Sequence, residues 1–279
     1  MDGAVRLEFR HVTKFFPARN RRTESVVAVS DVSLTVADGE VVSLIGPSGC
    51  GKSTLLNMAA GLDRPSAGAV LVDGKRVTTP NRHVAFMLQN DLLLPWRTIL
   101  ENVSFGQEIQ RIRREERTKR SLGLLSRYHL GEFAQHYPHQ LSGGMRQRAA
   151  LARTMAMDPD IMLLDEPFSA LDAQTKMILQ NDLARVLADE RKTALFITHD
   201  ISEGLALSNR VLVMSHRPGT IVREIVVDMP DRARPFRRRS NPRMNNYMVE
   251  IFDLLGLTRD ASDDDVNAQT SLEAMGGTP

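Results

Sequence analysis

The sequence predicts an α/β fold: a mostly parallel sheet covered by helices, preceded by an antiparallel β-region and interrupted by a helical insertion. Two observations predict the sheet. Val41-Val42-Ser43-Leu44-Ile45, Ile161-Met162-Leu163-Leu164 and Val211-Leu212-Val213-Met214 are short runs with almost no polar residue, the pattern of strands buried on both faces. Helical stretches alternate with these runs, as crossovers between parallel strands require. A third observation predicts the insertion. Over about residues 91–157 the pattern becomes mostly helical and more polar.

In chain order, residues 7–12 and 26–36 read as strands of the β-region, split by a polar, basic loop at 19–24. Asp38-Gly39 turns the chain into the strand at 41–45. Residues 53–60 read as a helix that Gly61 ends. Residues 69–72 and Val77 flank Asp73-Gly74, a hairpin signal. Residues 83–88 read as a strand ending at Gln89. Residues 161–164 and 193–198 read as buried strands, and 211–214 and 221–227 as late strands around Pro218-Gly219. After about residue 228, Pro, Arg and Asp cluster, and Arg237-Arg238-Arg239 reads as a solvated loop. Met244, Tyr247, Met248, Ile251, Phe252 and Leu255 then follow helical spacing and predict a helix packed on the core. From residue 258 the chain is polar, with Asp263-Asp264-Asp265, a composition expected to be disordered.

Composition narrows the function classes. The chain has 279 residues, 42% hydrophobic and 25% charged, ordinary values for a globular protein. A net charge of +2 gives no argument for nucleic acid, and none is expected as a partner. The single cysteine, Cys50, excludes an intramolecular disulfide and suits a reducing compartment. Residues 1–6 do not read as a secretory signal. No apolar run approaches the roughly 18–20 residues that cross a bilayer, so membrane work would need another chain. Pro138 separates His136 from His139 and argues against a shared metal face. The arginines of residues 111–120 are interleaved with Glu115 and Glu116 and read as a solvated helix face.

Three motifs carry chemistry. Gly46-Pro47-Ser48-Gly49-Cys50-Gly51-Lys52-Ser53-Thr54 fits G-x-x-x-x-G-K-[ST], between a strand and a helix. Gly49 and Gly51 let backbone N–H groups turn toward a polyphosphate, Lys52 supplies a point charge, and Ser53 offers a hydroxyl to Mg²⁺. Cys50 lies in this loop, beside a helix N-terminus that favours thiolate, so thiol reagents are expected to inhibit. The run at 161–164 delivers Asp165-Glu166 to a strand's carboxyl end. There Asp165 can hold Mg²⁺ and Glu166 can polarise water. Leu141-Ser142-Gly143-Gly144-Met145-Arg146-Gln147-Arg148 opens a helix on a serine and two glycines, a second anion-binding end.

Together these motifs resemble the signature set of the ATP-binding cassette superfamily, in the expected order over about residues 7–227. The resemblance implies a P-loop NTPase core, ATP and Mg²⁺ as cofactors, and ATP hydrolysis. It implies a cassette domain at 1–227, with its helical subdomain at about 91–157, and a tail at 228–279. Gly46, Ser48, Gly49, Cys50, Gly51, Lys52, Ser53 and Thr54 would hold the nucleotide. Phe16 falls where the family stacks an aromatic on adenine, with Phe15 the neighbouring candidate. Gln89 would sense the γ-phosphate and Mg²⁺ and link to a permease. Ser142, Gly143 and Gly144 would meet the γ-phosphate held by a second copy. Asp172, in Ser169-Ala170-Leu171-Asp172, would lie at the dimer interface, and His199 would contact the γ-phosphate.

Local wording resembles one branch. Gln89-Asn90-Asp91-Leu92-Leu93-Leu94-Pro95-Trp96, Met145 and Ser215-His216-Arg217-Pro218-Gly219 are similar to segments of importers for nitrate, sulfonates and taurine. Relatives carrying a thiamine-type pyrimidine precursor share the wording, and a regulatory cassette ATPase without transport is a further alternative. No long coiled coil, second cassette or fused membrane span is present, which argues against the DNA-maintenance, translation-factor and exporter branches. The resemblance thus implies a peripheral ATPase on the cytoplasmic face of the cell membrane. Its partners would be permease subunits, a second copy and an extracytoplasmic solute-binding protein.

Overall fold

The computed structural model describes residues 3–17 and 25–257, and among these ten strands form two sheets. The basic loop at 19–24 and the acidic end from 258 lie outside the described residues. The first sheet is antiparallel, in the order β2-β1-β4-β5. It comprises β1 (Val5–Phe16), β2 (Val26–Ala37), β4 (Ala67–Val72) and β5 (Lys75–Arg76). Asp73 and Gly74 join β4 to β5 with positive φ at both positions, 50° and 72°, as a tight hairpin turn needs. β1 runs on past Val12 to Phe16, farther than its composition suggests. Pairing of Phe15 with Val27 and Phe16 with Val26 carries it there.

The second sheet has the order β10-β9-β3-β8-β7-β6. It comprises β3 (Val41–Ile45), β6 (Val84–Met87), β7 (Ile161–Asp165), β8 (Thr193–Ile197), β9 (Arg210–Met214) and β10 (Ile221–Val226). All its pairings are parallel except β10 with β9. Every residue of β3, β7 and β8 is buried, and the side chains alternate between two cores. Val42, Leu44, Leu163, Leu195 and Ile197 face a core shared with the antiparallel sheet and α1 (Lys52–Ala59). Met162, Leu164, Ala194 and Phe196 face the opposite core.

That opposite core is closed by α2 (Ile99–Ile109), α3 (Arg114–Arg127), α4 (Gly143–Met155) and α5 (Ala173–Asp189). α2 starts on a capping box, Thr98 with Glu101. The outer charges of α3 pair with acids as expected of a solvated face, Arg120 with Glu116 and Arg117 with Glu108. A third apolar cluster joins β9 and α6 (Ile201–Leu207) to α8 (Arg243–Leu254). Met244 and Ile251 of α8 are buried there, with Tyr247, Met248, Phe252 and Leu255 packed beside them.

The arginine run does not form the expected solvated loop. It belongs to a short helix, α7 (Pro235–Arg239), and Arg238 is 2% exposed. Arg238 donates to the carbonyls of Ser208 at 2.8 Å, Val227 at 3.1 Å and Ala206 at 3.4 Å. These carbonyls repay part of the cost of burying the guanidinium. Burial still pushes its pKa down to about 10.

Candidate active site

Parallel pairing sets the carboxyl ends of β3, β8, β7 and β6 along one edge of the sheet, where open α/β sheets bind ligands. β3 runs into the phosphate loop, β7 ends on Asp165 before Glu166, β8 leads to His199, and β6 leads to Gln89. Four segments far apart in sequence therefore meet at one place.

The loop opens α1 at Gly51, whose φ is 106°. A Cβ at Gly51 would lie 2.4 Å from Val29 Cγ1 and 2.9 Å from the Ala28 carbonyl. β2 can press on the loop only because residue 51 has no side chain. No side chain caps α1, so the N–H groups of its first turn remain for a ligand. Lys52 is 7% exposed, and its Nζ donates to Gly46 O at 2.7 Å and Pro47 O at 2.8 Å. Its charge is thus held inside the loop. The Cys50 side chain belongs to the apolar core, so the residue offers a ligand its backbone. With Cys50 1% exposed, a thiol reagent reaches Sγ only when the loop opens.

Phe16, Ser48, Gly49, Gly51, Lys52, Ser53, Thr54, Gln89 and Glu166 line one open cavity of about 890 Å³. Sites for small ligands span roughly 300–1,000 Å³. Phe16 lines it and Phe15 does not, with Lys14 Nζ 5.0 Å from the Phe16 ring centre. Gly46 packs behind the wall against Met214 and Cys50. A second cavity, about 510 Å³, includes Gln107, Arg120, Arg127 and Glu190 and holds none of the motif residues.

Glu166 is the meeting point of three segments. Gln89 Nε2 donates to its Oε2 at 3.2 Å, and His199 Nδ1 lies 3.4 Å from the same oxygen. Glu166 has φ 48°, in the left-handed region, and its N–H donates to Ile197 O at 3.0 Å. Strand β8 thereby holds the unusual backbone that aims the carboxylate. Asp165, 5% exposed, sits beneath. Burial pushes its carboxyl above the usual range, while a hydrogen bond from Ser53 opposes that rise.

The donors available to a cation here are the Ser53 hydroxyl, the Asp165 carboxylate and the Gln89 amide oxygen. That all-oxygen set suits a hard cation such as Mg²⁺, which draws its remaining ligands from phosphates and water. No group of three or more His, Cys, Asp or Glu side chains placed to hold a metal ion by themselves is present among the described residues.

Two predicted groups stand apart from the cavity. Ser142 and Gly143, at the start of α4, are exposed, and Ser142 Oγ accepts from its own helix at Met145 N, 3.3 Å. Asp172 caps α5 by accepting from Thr175 N at 2.9 Å, and these hydrogen bonds hold its carboxyl below the usual range. Sequence reasoning missed Arg217, which lines the cavity and donates to Gly49 O. The signal was there, in the Arg217-Pro218-Gly219 phrase of the late turn.

The profile of the ABC transporter family matches residues 29–169. The chain belongs to that family. Its helices include none long and apolar enough to cross a membrane, among the described residues. It is an ATP-binding cassette that hydrolyses ATP, and its fold is the one expected. Relatives extend over most of the cassette. An uncharacterized ABC transporter ATP-binding protein, MJ0412 of Methanocaldococcus jannaschii, is 43% identical over 90% of this chain and 91% of its own. The nitrate import ATP-binding protein NrtD of Synechocystis is 41% identical over 83% of this chain and 89% of its own. The taurine import ATP-binding protein TauB of Yersinia pestis is 44% identical over 74% and 80%. A solved structure of the cassette MJ0796, a dimer in a post-hydrolysis state with ADP and Pi, covers 79% of this chain and 98% of its own. It is 34% identical, with a TM-score of 0.72.

Proposed function

We propose that this ATPase subunit powers uptake of a small oxyanion, such as nitrate, a sulfonate or taurine, through a separate permease. The observation that carries this reading is the likeness to nitrate and taurine import ATP-binding proteins, at 41% identity over 83% of the chain and 44% over 74%. The subunit sits on the cytoplasmic face of the membrane and receives solute through an extracytoplasmic binding protein. Residues 1–227 form the cassette, with its helical subdomain at about 91–157; Gln89 and residues 92–102 meet the permease, and α8 of the tail at 228–279 braces the cassette.

The chemistry follows from the cavity. The phosphate loop and Lys52 hold the polyphosphate, with Phe16 against the base. Ser53, Asp165 and Gln89 hold Mg²⁺, which when bound neutralises phosphate charge. Glu166 accepts a proton from water and directs it at the γ-phosphate. Gln89 and His199 occupy Oε2, leaving Oε1 for that water. Ser142, Gly143 and Gly144 complete the site of a second copy, with Asp172 at the interface, and closure of the pair on ATP moves the permease.

The cargo is tested in the host. With the gene deleted, uptake of labelled nitrate, taurine and an alkanesulfonate is measured. Loss of one of them, restored by the wild-type gene and not by a Lys52→Ala copy, supports the reading. Normal uptake of all three refutes it, and loss of pyrimidine-precursor uptake instead would assign the other cargo.

A further inference from the structure

The turn between β9 and β10 is built against the phosphate loop. Thr220 N–H donates to Ser215 Oγ at 3.0 Å and closes the turn. Gly219 N–H donates to Ala28 O, and Ser30 N–H to Gly219 O, each at 3.0 Å, so the turn adds a rung to β2. A Cβ at Gly219 would lie 2.0 Å from the Cys50 carbonyl, so only glycine allows this approach. The turn therefore has a fixed position beside the loop. From it Arg217 reaches back, and Nε and Nη2 both donate to Gly49 O, at 3.2 and 2.9 Å.

We propose that Arg217 is a positioning residue of the nucleotide site: by gripping the Gly49 carbonyl it fixes the phosphate loop in the shape that receives a polyphosphate. A trans peptide is planar, so its C=O and the next N–H point in opposite directions. Holding Gly49 O on Arg217 therefore directs the Cys50 N–H to the opposite side of that peptide, where it faces Pro47 O at 3.4 Å. That separation is long for a hydrogen bond, so this N–H exchanges its weak partner for a phosphate oxygen at little cost. Gly49 has φ 74°, and glycine leaves this peptide free to rotate. Arg217 removes that freedom. Lys52 holds the other end of the loop, at the carbonyls of Gly46 and Pro47. The two cations hold different carbonyls of the loop, and both line the same cavity. A guanidinium suits the task, because its fixed fork engages one carbonyl with two donors.

This inference rests on the reading that the cavity holds ATP, and the test separates the two. Arg217 is exposed, so Arg217→Met keeps most of the aliphatic stem and leaves the core intact, which a melting curve checks. Three quantities are read: Kd for ATP and for ADP, the KM and kcat of hydrolysis, and the maleimide labelling rate of the nucleotide-free protein. Cys50 is the sole cysteine, so labelling reports opening of the loop. Both Kd values and KM should rise about tenfold, in line with losing a charged hydrogen bond. The kcat should stay within about twofold, and labelling should become several times faster. Unchanged Kd overturns the proposal. So does weaker binding with an unchanged labelling rate, which would make Arg217 a charge acting on nucleotide directly. Lys52→Ala, measured alongside, loses affinity if ATP occupies this cavity. Should it bind ATP as tightly as wild type, the functional reading itself fails.

Discussion

Helix α1 and helix α4 both open on glycine-rich segments, and they open differently. The first has no side-chain cap and borders a cavity of about 890 Å³. The second is capped by Ser142 and faces solvent. Glycine at a cap position costs only about a few tenths of a kcal/mol relative to serine or aspartate, so Gly51 lets α1 keep its N–H donors for a ligand at little loss of stability. Helix α4 spends one donor on its own serine, and no residue of its first turn lines the cavity around Lys52. One helix end opens on a cavity lined by its own chain. The other waits for something brought from outside, which on the proposed reading is the nucleotide of a second copy.

The comparison breaks most visibly at Glu166. Glu166→Gln keeps the size of the side chain and removes the proton acceptor, so hydrolysis should fall by about three orders of magnitude. ATP should still bind, and a closed dimer should accumulate on size-exclusion chromatography with Mg-ATP. Normal turnover in this variant would remove Glu166 from the chemistry. A smaller effect is expected at the uncapped helix. Lys52→Ala should weaken ATP binding by about ten- to a hundredfold, the worth of a charged hydrogen bond in a buried loop. Calorimetric titration checks it, and wild-type affinity would mean that α1 does not receive the phosphates.

The capped helix gives the opposite pattern. Ser142→Arg should leave nucleotide affinity of the single chain within about twofold, because α4 is not part of that cavity. In the Glu166→Gln background it should cut dimerisation by at least about tenfold, by setting a bulky cation at the shared surface. A double variant that still dimerises in ATP would leave the signature without its proposed use. The smallest effect belongs to the cap alone. Ser142→Ala should cost about 1 kcal/mol and lower Tm by about 2–4 °C. A shift near zero would show that the serine is held for the partner's nucleotide and adds nothing to its own helix.

The sequence displays the parts of this site that depend on local pattern. Continuous apolar runs mark β3, β7 and β8, because both faces of those strands are covered. The glycines at 49 and 51 mark a backbone that only they adopt easily. What it does not display depends on tertiary approach. Phe15 and Phe16 look alike in sequence, and the register with β2 decides which one lines the cavity. The arginines 237–239 look solvated, since nothing nearby announces the three carbonyls that receive Arg238. Arg217 reads as part of a turn, because its acceptor lies 168 positions away.

The backbone of Glu166, at φ 48°, has a consequence for anyone improving this protein. A left-handed conformation costs an L residue with a side chain roughly 1–2 kcal/mol, a penalty that glycine escapes. A selection for heat resistance alone should therefore favour Glu166→Gly and recover robust, inactive protein. Thermostable variants need sorting by turnover before their melting points are compared.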